Sequence, residues 1–212
     1  KILKFHSFYI DDNEVKTLLE HLISSKQLKL TDEQAKGKRG NENDQETNDK
    51  MNTSQTWFEI KKNNIYDNLI CKVESSIQEY IQSPFAVVNL NAWKTKANMK
   101  VIYDEHGNSR GPNRFHQDGY PPGHYKCMIY LKPLDDDHGK IQVEDKIFES
   151  NKGGLCLCFN NNLYHQSIPG KSSERYVIEI TVMRTIVKVD ILKNYPGTPD
   201  SIHLKQAYQA YI

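Results

Sequence analysis

A chain of 212 residues, 37% hydrophobic and 26% charged, is long enough for one domain with a real core and too short for two of ordinary size. Its 28 basic and 27 acidic residues leave a net charge of +1, so no global field would hold nucleic acid or an anionic membrane. No apolar run approaches the roughly 18–20 residues that span a bilayer.

The start, KILKFHSFYIDD, has no long apolar core of the kind a signal peptide needs. The chain opens at Lys1 rather than Met, so it reads as trimmed or as part of a longer protein, which leaves room for a targeting segment outside it. A cytoplasmic location is expected.

The N-terminal quarter reads as helix. Asp11 with Glu14 resembles a capping box, and Val15, Leu18, Leu19, Leu22 and Ile23 follow on one helical face. Residues 31–56 carry almost no apolar side chain and read as a solvated loop, either an exposed insertion or a lid over a pocket. A second helix follows. Asn64 is its candidate cap, Ile65, Leu69, Ile70, Val73, Ile77, Tyr80 and Ile81 are its stripe, and Ser83-Pro84 ends it.

From about residue 86 the chain breaks into short strand-like runs: 86–93, 99–103, 125–131, 140–144, 154–159 and 175–189. The turns between them are rich in Gly, Pro, Asn, Asp and Ser. Many short strands so spaced suggest a sandwich or closed double sheet, with the helices packed on one sheet face. The stretch from Asn194 reads as a loop and a short helical tail. Of the four cysteines, Cys156 and Cys158 sit in an apolar run and Cys71 and Cys127 stand alone, which fits buried free thiols better than a zinc site.

Polar residues at strand ends carry the chemistry. In NRFHQDGY, His116 and Asp118 lie two apart, so in a strand both point to one side. His165 follows the strand-like 154–159 run and a short turn. Two imidazoles and a carboxylate can fill one face of an octahedron and leave three positions open, a set that suits Fe(II) and that zinc would also accept. The other histidines (His6, His21, His106, His124, His138 and His203) read as surface or turn residues. Arg175 comes ten residues after His165 and shares a strand face with Val177, Glu179, Thr181 and Met183. Tyr176, Ile178, Ile180 and Val182 form the face that would receive the helices. A buried guanidinium needs an anion, either a structural Asp or Glu or a ligand carboxylate.

The ordered set His116-x-Asp118, His165, Arg175 resembles the Fe(II)/2-oxoglutarate-dependent oxygenases. HQDGYPPGHYKCMIYLKPLDDDHGKIQV and GGLCLCFNNNLYHQSIPGKSSERYVI look like the phytanoyl-CoA dioxygenase-like branch. The prolyl-hydroxylase-like branch shares the layout, and MKVIY resembles its strand with a co-substrate tyrosine. The likeness spans residues 86–185.

It implies a mainly β fold: a double-stranded β-helix (jelly-roll, cupin-like) core over 86–190, with helical support in 1–85 and a tail over 191–212. The whole would be a single oxygenase domain. It also implies Fe(II) on His116, Asp118 and His165, and the distal carboxylate of 2-oxoglutarate on Arg175, with Tyr103 and Tyr130 helping to hold this co-substrate. With O2 the expected reaction is hydroxylation of a C–H bond of an unidentified small molecule or peptide, releasing succinate and CO2.

Asp118 stands where family halogenases carry a small residue, which favours hydroxylation. Val177 departs from relatives that place a hydroxyl there. The next arginine is Arg184, nine residues after Arg175 rather than the six of the nucleic-acid-repair branch. Two alternatives stay open: a cupin-type metal enzyme that does not use 2-oxoglutarate, and a non-catalytic binding module on the same fold. Residues 120–125 and the 31–56 loop are the candidate substrate contacts.

Overall fold

The structure is a computed structural model that describes residues 3–28, 55–98, 102–103, 106, 109–110 and 115–193. Helix α1 (Asp12–Ser24) starts where Asp11 caps it, the carboxylate accepting from the Glu14 N–H at 2.8 Å. Glu14 does not close the capping box with its own side chain. It is buried and pairs with Lys72 of α2 (Asn64–Ile81). The cap of α2 is Asn63, one residue before the expected Asn64, and its side-chain oxygen accepts from the N–H groups of Ile65 and Tyr66 at 2.9 and 3.0 Å. The helix stops at Gln82, which adopts a left-handed conformation (φ 51°) just before Ser83-Pro84.

Both apolar stripes are buried as their spacing requires, through Leu18 and Leu22 of α1 and Leu69, Ile70, Val73, Ile77, Tyr80 and Ile81 of α2. Ile23 departs from that expectation and is 60% exposed.

The helices lie on one face of a seven-stranded antiparallel sheet. Its strands are β1 (Phe5–Tyr9), β2 (Gln27–Leu28), β3 (Gln55–Phe58), β4 (Phe85–Thr95), β7 (His124–Tyr130), β10 (Leu155–Asn160) and β12 (Arg175–Arg184), in the order β1-β10-β7-β12-β4-β3-β2. A three-stranded sheet of β8 (Gly139–Val143), β9 (Lys146–Phe148) and β11 (His165–Pro169), ordered β11-β8-β9, covers its other face. Between them in sequence, β5 (Ile102–Tyr103) and β6 (Ser109–Arg110) pair as a small hairpin.

The two faces of β12 divide as their alternation requires. Ile178, Ile180 and Val182 join the helix-side core, while Val177 joins Trp93, Tyr130, Ile141, Val143 and Phe159 between the sheets. A register shift between Thr181 and Val182 marks a bulge against β4.

Three parts of the sequence behave differently from expectation. Residues 5–9, inside the quarter read as helix, form an edge strand on β10. The segment after His165, read as a turn, is β11 paired along its length with β8. Gln55 and Thr56, placed at the end of the polar loop, belong to β3, and the rest of that loop, read as an insertion or a lid, lies outside the described residues, as does the tail from Asn194.

Gly139, at the start of β8, has φ +94°, and a Cβ there would sit 2.4 Å from the Ile168 carbonyl oxygen and 2.8 Å from the Gly170 nitrogen. Only glycine fits this close crossing of β8 and β11.

Candidate metal centre

His116 forms an isolated antiparallel bridge with His165, the first residue of β11. The His116 N–H donates to the His165 carbonyl at 3.0 Å, and the reverse bond is 2.9 Å. Residues directly opposite on antiparallel strands present their side chains to one side, so the two imidazoles stand together with ring centroids 4.5 Å apart. Asp118, two residues on, returns to the same side. Its N–H donates to the Asn161 carbonyl at 3.3 Å.

Asp118 Oδ1 lies 3.3 Å from His116 Nε2 and 3.4 Å from His165 Nε2, and the three donor atoms all fall within 4.8 Å of one another. Neighbouring donors about 2.1 Å from an octahedral cation are about 3.0 Å apart, so the three residues could hold one ion with small adjustment. His165 Nδ1 donates to the Leu163 carbonyl at 2.9 Å, which leaves Nε2 as the lone-pair nitrogen facing Asp118. The structure thus brings the three residues named from the sequence to one point.

Burial alone would raise the Asp118 carboxyl, but the Lys126 ammonium and the two imidazoles outweigh it and hold the group well below the usual carboxylate range. Burial pulls the His165 imidazole down, with Lys126 adding to the effect. Donors without protons are what a cation needs.

Lys126 was not singled out from the sequence. It stands on β7, 5% exposed, with its ammonium paired to Asp118, 3.1 Å from Glu179 Oε2 and 3.4 Å from His165 Nε2. Burial works against its charge, and the Glu179 and Asp118 carboxylates more than restore it, pushing its pKa up. The signal was present: a lysine inside YKCMIYL interrupts an apolar strand and shares a face with Met128 and Tyr130.

Arg175 is buried at the start of β12. One terminal nitrogen donates to the Lys140 carbonyl at 3.0 Å, and the other donates to Ser167 Oγ. Its guanidinium lies 5.9 Å from the centroid of the Tyr130 ring. Its Nε has no hydrogen-bond partner, and among the described residues no carboxylate pairs with it. Burial lowers its pKa, and only Tyr130 acts in the opposite direction. The structural salt bridge that the sequence left open is therefore absent among the described residues, and a buried cation lacks its anion.

Tyr130 is buried beside Arg175. Tyr103 falls on β5, and its side chain lies outside the described residues. Tyr120, in the segment expected to shape the pocket, reaches the same centre. Burial and the Glu179 carboxylate push its phenol up to about 12.

His138 sits in a turn as expected, bonded to Asp135 at 2.9 Å. His124 does not: it opens β7, is 1% exposed, and donates from Nδ1 to the Pro121 carbonyl at 2.9 Å. Cys127, Cys156 and Cys158 are buried free thiols as expected, but Cys71 is exposed on α2.

The chain matches no protein-family model. No curated protein matches it either. Solved structures do match. The collagen prolyl hydroxylase vCPH of Paramecium Bursaria Chlorella virus-1, solved with 2-oxoglutarate, is 14% identical with a TM-score of 0.51, over 86% of this chain and 97% of that one. HygX of Streptomyces hygroscopicus, solved with nickel, 2-oxoglutarate and hygromycin B, is 9% identical with a TM-score of 0.58, over 88% of this chain and 85% of that one. The non-heme alpha-ketoglutarate-dependent epimerase SnoN from nogalamycin biosynthesis is 12% identical with a TM-score of 0.60, over 93% and 87%.

The chain has the fold of 2-oxoglutarate-dependent enzymes. This is the double-stranded β-helix expected from the resemblance, with its helices on the larger sheet. No helix among the described residues is long and apolar enough to cross a membrane.

Proposed function

We propose that this chain is an Fe(II)- and 2-oxoglutarate-dependent oxygenase that hydroxylates a C–H bond of a small molecule or peptide. One observation carries the reading: Arg175 is buried with no carboxylate beside it among the described residues, in the same barrel in which His116, Asp118 and His165 converge. A metal site alone would suit many enzymes. A metal site in the same barrel as a buried guanidinium that has no carboxylate among the described residues asks for a ligand that chelates at one end and carries a carboxylate at the other.

Each residue then has a task. His116, Asp118 and His165 would hold the metal and leave the opposite side open. The Leu163 carbonyl fixes the ring and proton of His165, so that its Nε2 stays available. Arg175 would bind the distal carboxylate of the co-substrate, with the Tyr130 ring beside it and Ser167 and the Lys140 carbonyl steadying its planar fork. The absent side chain of Gly139 leaves room for that fork, whose nearest nitrogen lies 3.1 Å from where a Cβ would be.

Apolar residues between the sheets, Trp93, Leu157, Phe159 and Val177 among them, keep the chamber dry. With Fe(II) and 2-oxoglutarate bound, the centre supplies oxidation of an unactivated C–H bond, coupled to loss of CO2 and formation of succinate. Tyr120 and the turn at 121–123 are the proposed substrate contacts, alongside small-molecule binding of the kind seen in HygX, whereas Tyr125, expected among them, packs against Tyr80 in the helix-side core.

The test is succinate release by metal-loaded protein across a library of amino acids, peptides, sugars and aromatic scaffolds. Release that depends on a substrate, on 2-oxoglutarate and on Arg175 supports the reading. A protein that binds metal but turns over a substrate without 2-oxoglutarate would be a cupin-type enzyme instead.

A further inference from the structure

The donor set is shared with a cation of the chain's own. Lys126 presents its ammonium to Asp118 Oδ2 and stands 3.4 Å from His165 Nε2, so it engages two of the three residues a metal would need. It also stands 3.1 Å from Glu179 Oε2. Glu179 is on β12, on the Arg175 face, and its other oxygen is 3.5 Å from Asn91 Nδ2. Glu179 does not belong to the donor cluster.

A buried ammonium must keep a counter-charge, and here it has two. One of them, Asp118, is wanted by the metal. The other is not. A divalent cation at the donor site must therefore take Asp118 away from Lys126, against repulsion between two positive centres a few ångströms apart. It leaves Lys126 with Glu179 alone.

We infer that Lys126 is a built-in competitor for the metal and that Glu179 is the residue that accepts its ammonium when the metal binds. The pair sets the metal affinity of the site, with Lys126 lowering it and Glu179 raising it through Lys126. Both are positioning residues, since neither donates to the ion. The inference rests on the reading of His116, Asp118 and His165 as a metal centre.

The experiment is calorimetric titration of Mn(II) alone, without 2-oxoglutarate, into the metal-free full chain, with His165→Ala in parallel. Lys126→Met keeps the apolar stem and should bind Mn(II) at least ten-fold more tightly. Glu179→Gln leaves Lys126 with Asp118 as its one carboxylate and should bind at least ten-fold more weakly. The double variant Lys126→Met/Glu179→Gln should behave like Lys126→Met, because Glu179 acts only through the ammonium. It removes both buried charges, so it stays informative if Lys126→Met alone does not fold.

Wild-type protein that binds no Mn(II) while Lys126→Met or the double variant binds it supports a blocking lysine. Affinity unchanged or weakened in the lysine variants, with wild type binding and His165→Ala not, overturns this inference and leaves the metal centre standing. If no protein in the set binds Mn(II), both the metal centre and the inference fall.

Discussion

Arg175 is the residue whose environment says most about its use. Its fork is held by Ser167 and the Lys140 carbonyl, yet its charge has no carboxylate among the described residues. Replacing it with Ala should remove two charge-assisted hydrogen bonds to the co-substrate, about 3 kcal/mol or on the order of 100-fold in affinity. Arg175→Lys should recover only part of this, because an ammonium cannot grip a carboxylate with two parallel bonds. Calorimetry with metal-loaded protein reads both, and equal 2-oxoglutarate affinity in wild type and Arg175→Ala would refute the role.

His124 makes a second residue-scale case. Burial lowers its pKa, although the Pro121 and Pro122 carbonyls oppose this, and its Nε2 is buried without a partner. The unfolded imidazole binds protons more readily than the folded one, so folding favours the neutral ring. That stability is present above about pH 6.5 and is lost as pH falls from there toward the lower folded value. Urea midpoints should therefore be lower at about pH 5.5 than at about pH 7.5, and His124→Asn should shrink that difference. An unchanged difference would show that other groups carry the acid sensitivity.

At this scale the sequence was legible wherever chemistry forced an unusual residue type into a fixed order, as with His116, Asp118, His165 and Arg175. Lys126 and Glu179 were not recovered. They are linked only through the pairing of β7 with β12, where Lys126 stands opposite Thr181.

Among the elements, α2 shows how local rules and packing combine. Asn63 satisfies two backbone donors, and Asn63→Ala should cost about 1 kcal/mol in a urea titration. Leu69 is fully buried in the helix-side core, so Leu69→Ala should cost about 2–5 kcal/mol by the same measurement. An effect of Asn63→Ala as large as that of Leu69→Ala would mean that the cap does more than end a helix.

The long strands and both helices could be read because their apolar periods are regular. Among the elements that escaped, β1 and β11 show why. Each is five residues long and mixes polar with apolar side chains, and each becomes a strand only because β10 or β8 lies beside it. Asn64 was one residue off as the cap because both Asn63 and Asn64 fit the local pattern, and only the geometry of the turn selects between them.

For the whole molecule, the large sheet has two unlike faces. One is covered by α1 and α2 and is purely structural. The other closes against β8, β9 and β11, and the candidate site is assembled from both sides of that closure. His116 and His165 come from the bridge at the edge of the small sheet, whereas Lys126, Tyr130, Arg175 and Glu179 come from the large one. The site thus exists only when the two sheets face each other. That is why the sequence could name its members without showing how they meet.

The most direct test of the proposed function is an anaerobic calorimetric titration of 2-oxoglutarate into Fe(II)-loaded protein. One bound 2-oxoglutarate per chain is expected, with binding lost when Fe(II) is withheld and in Arg175→Ala. Fe(II)-loaded wild-type protein that binds no 2-oxoglutarate would contradict the proposal at its centre.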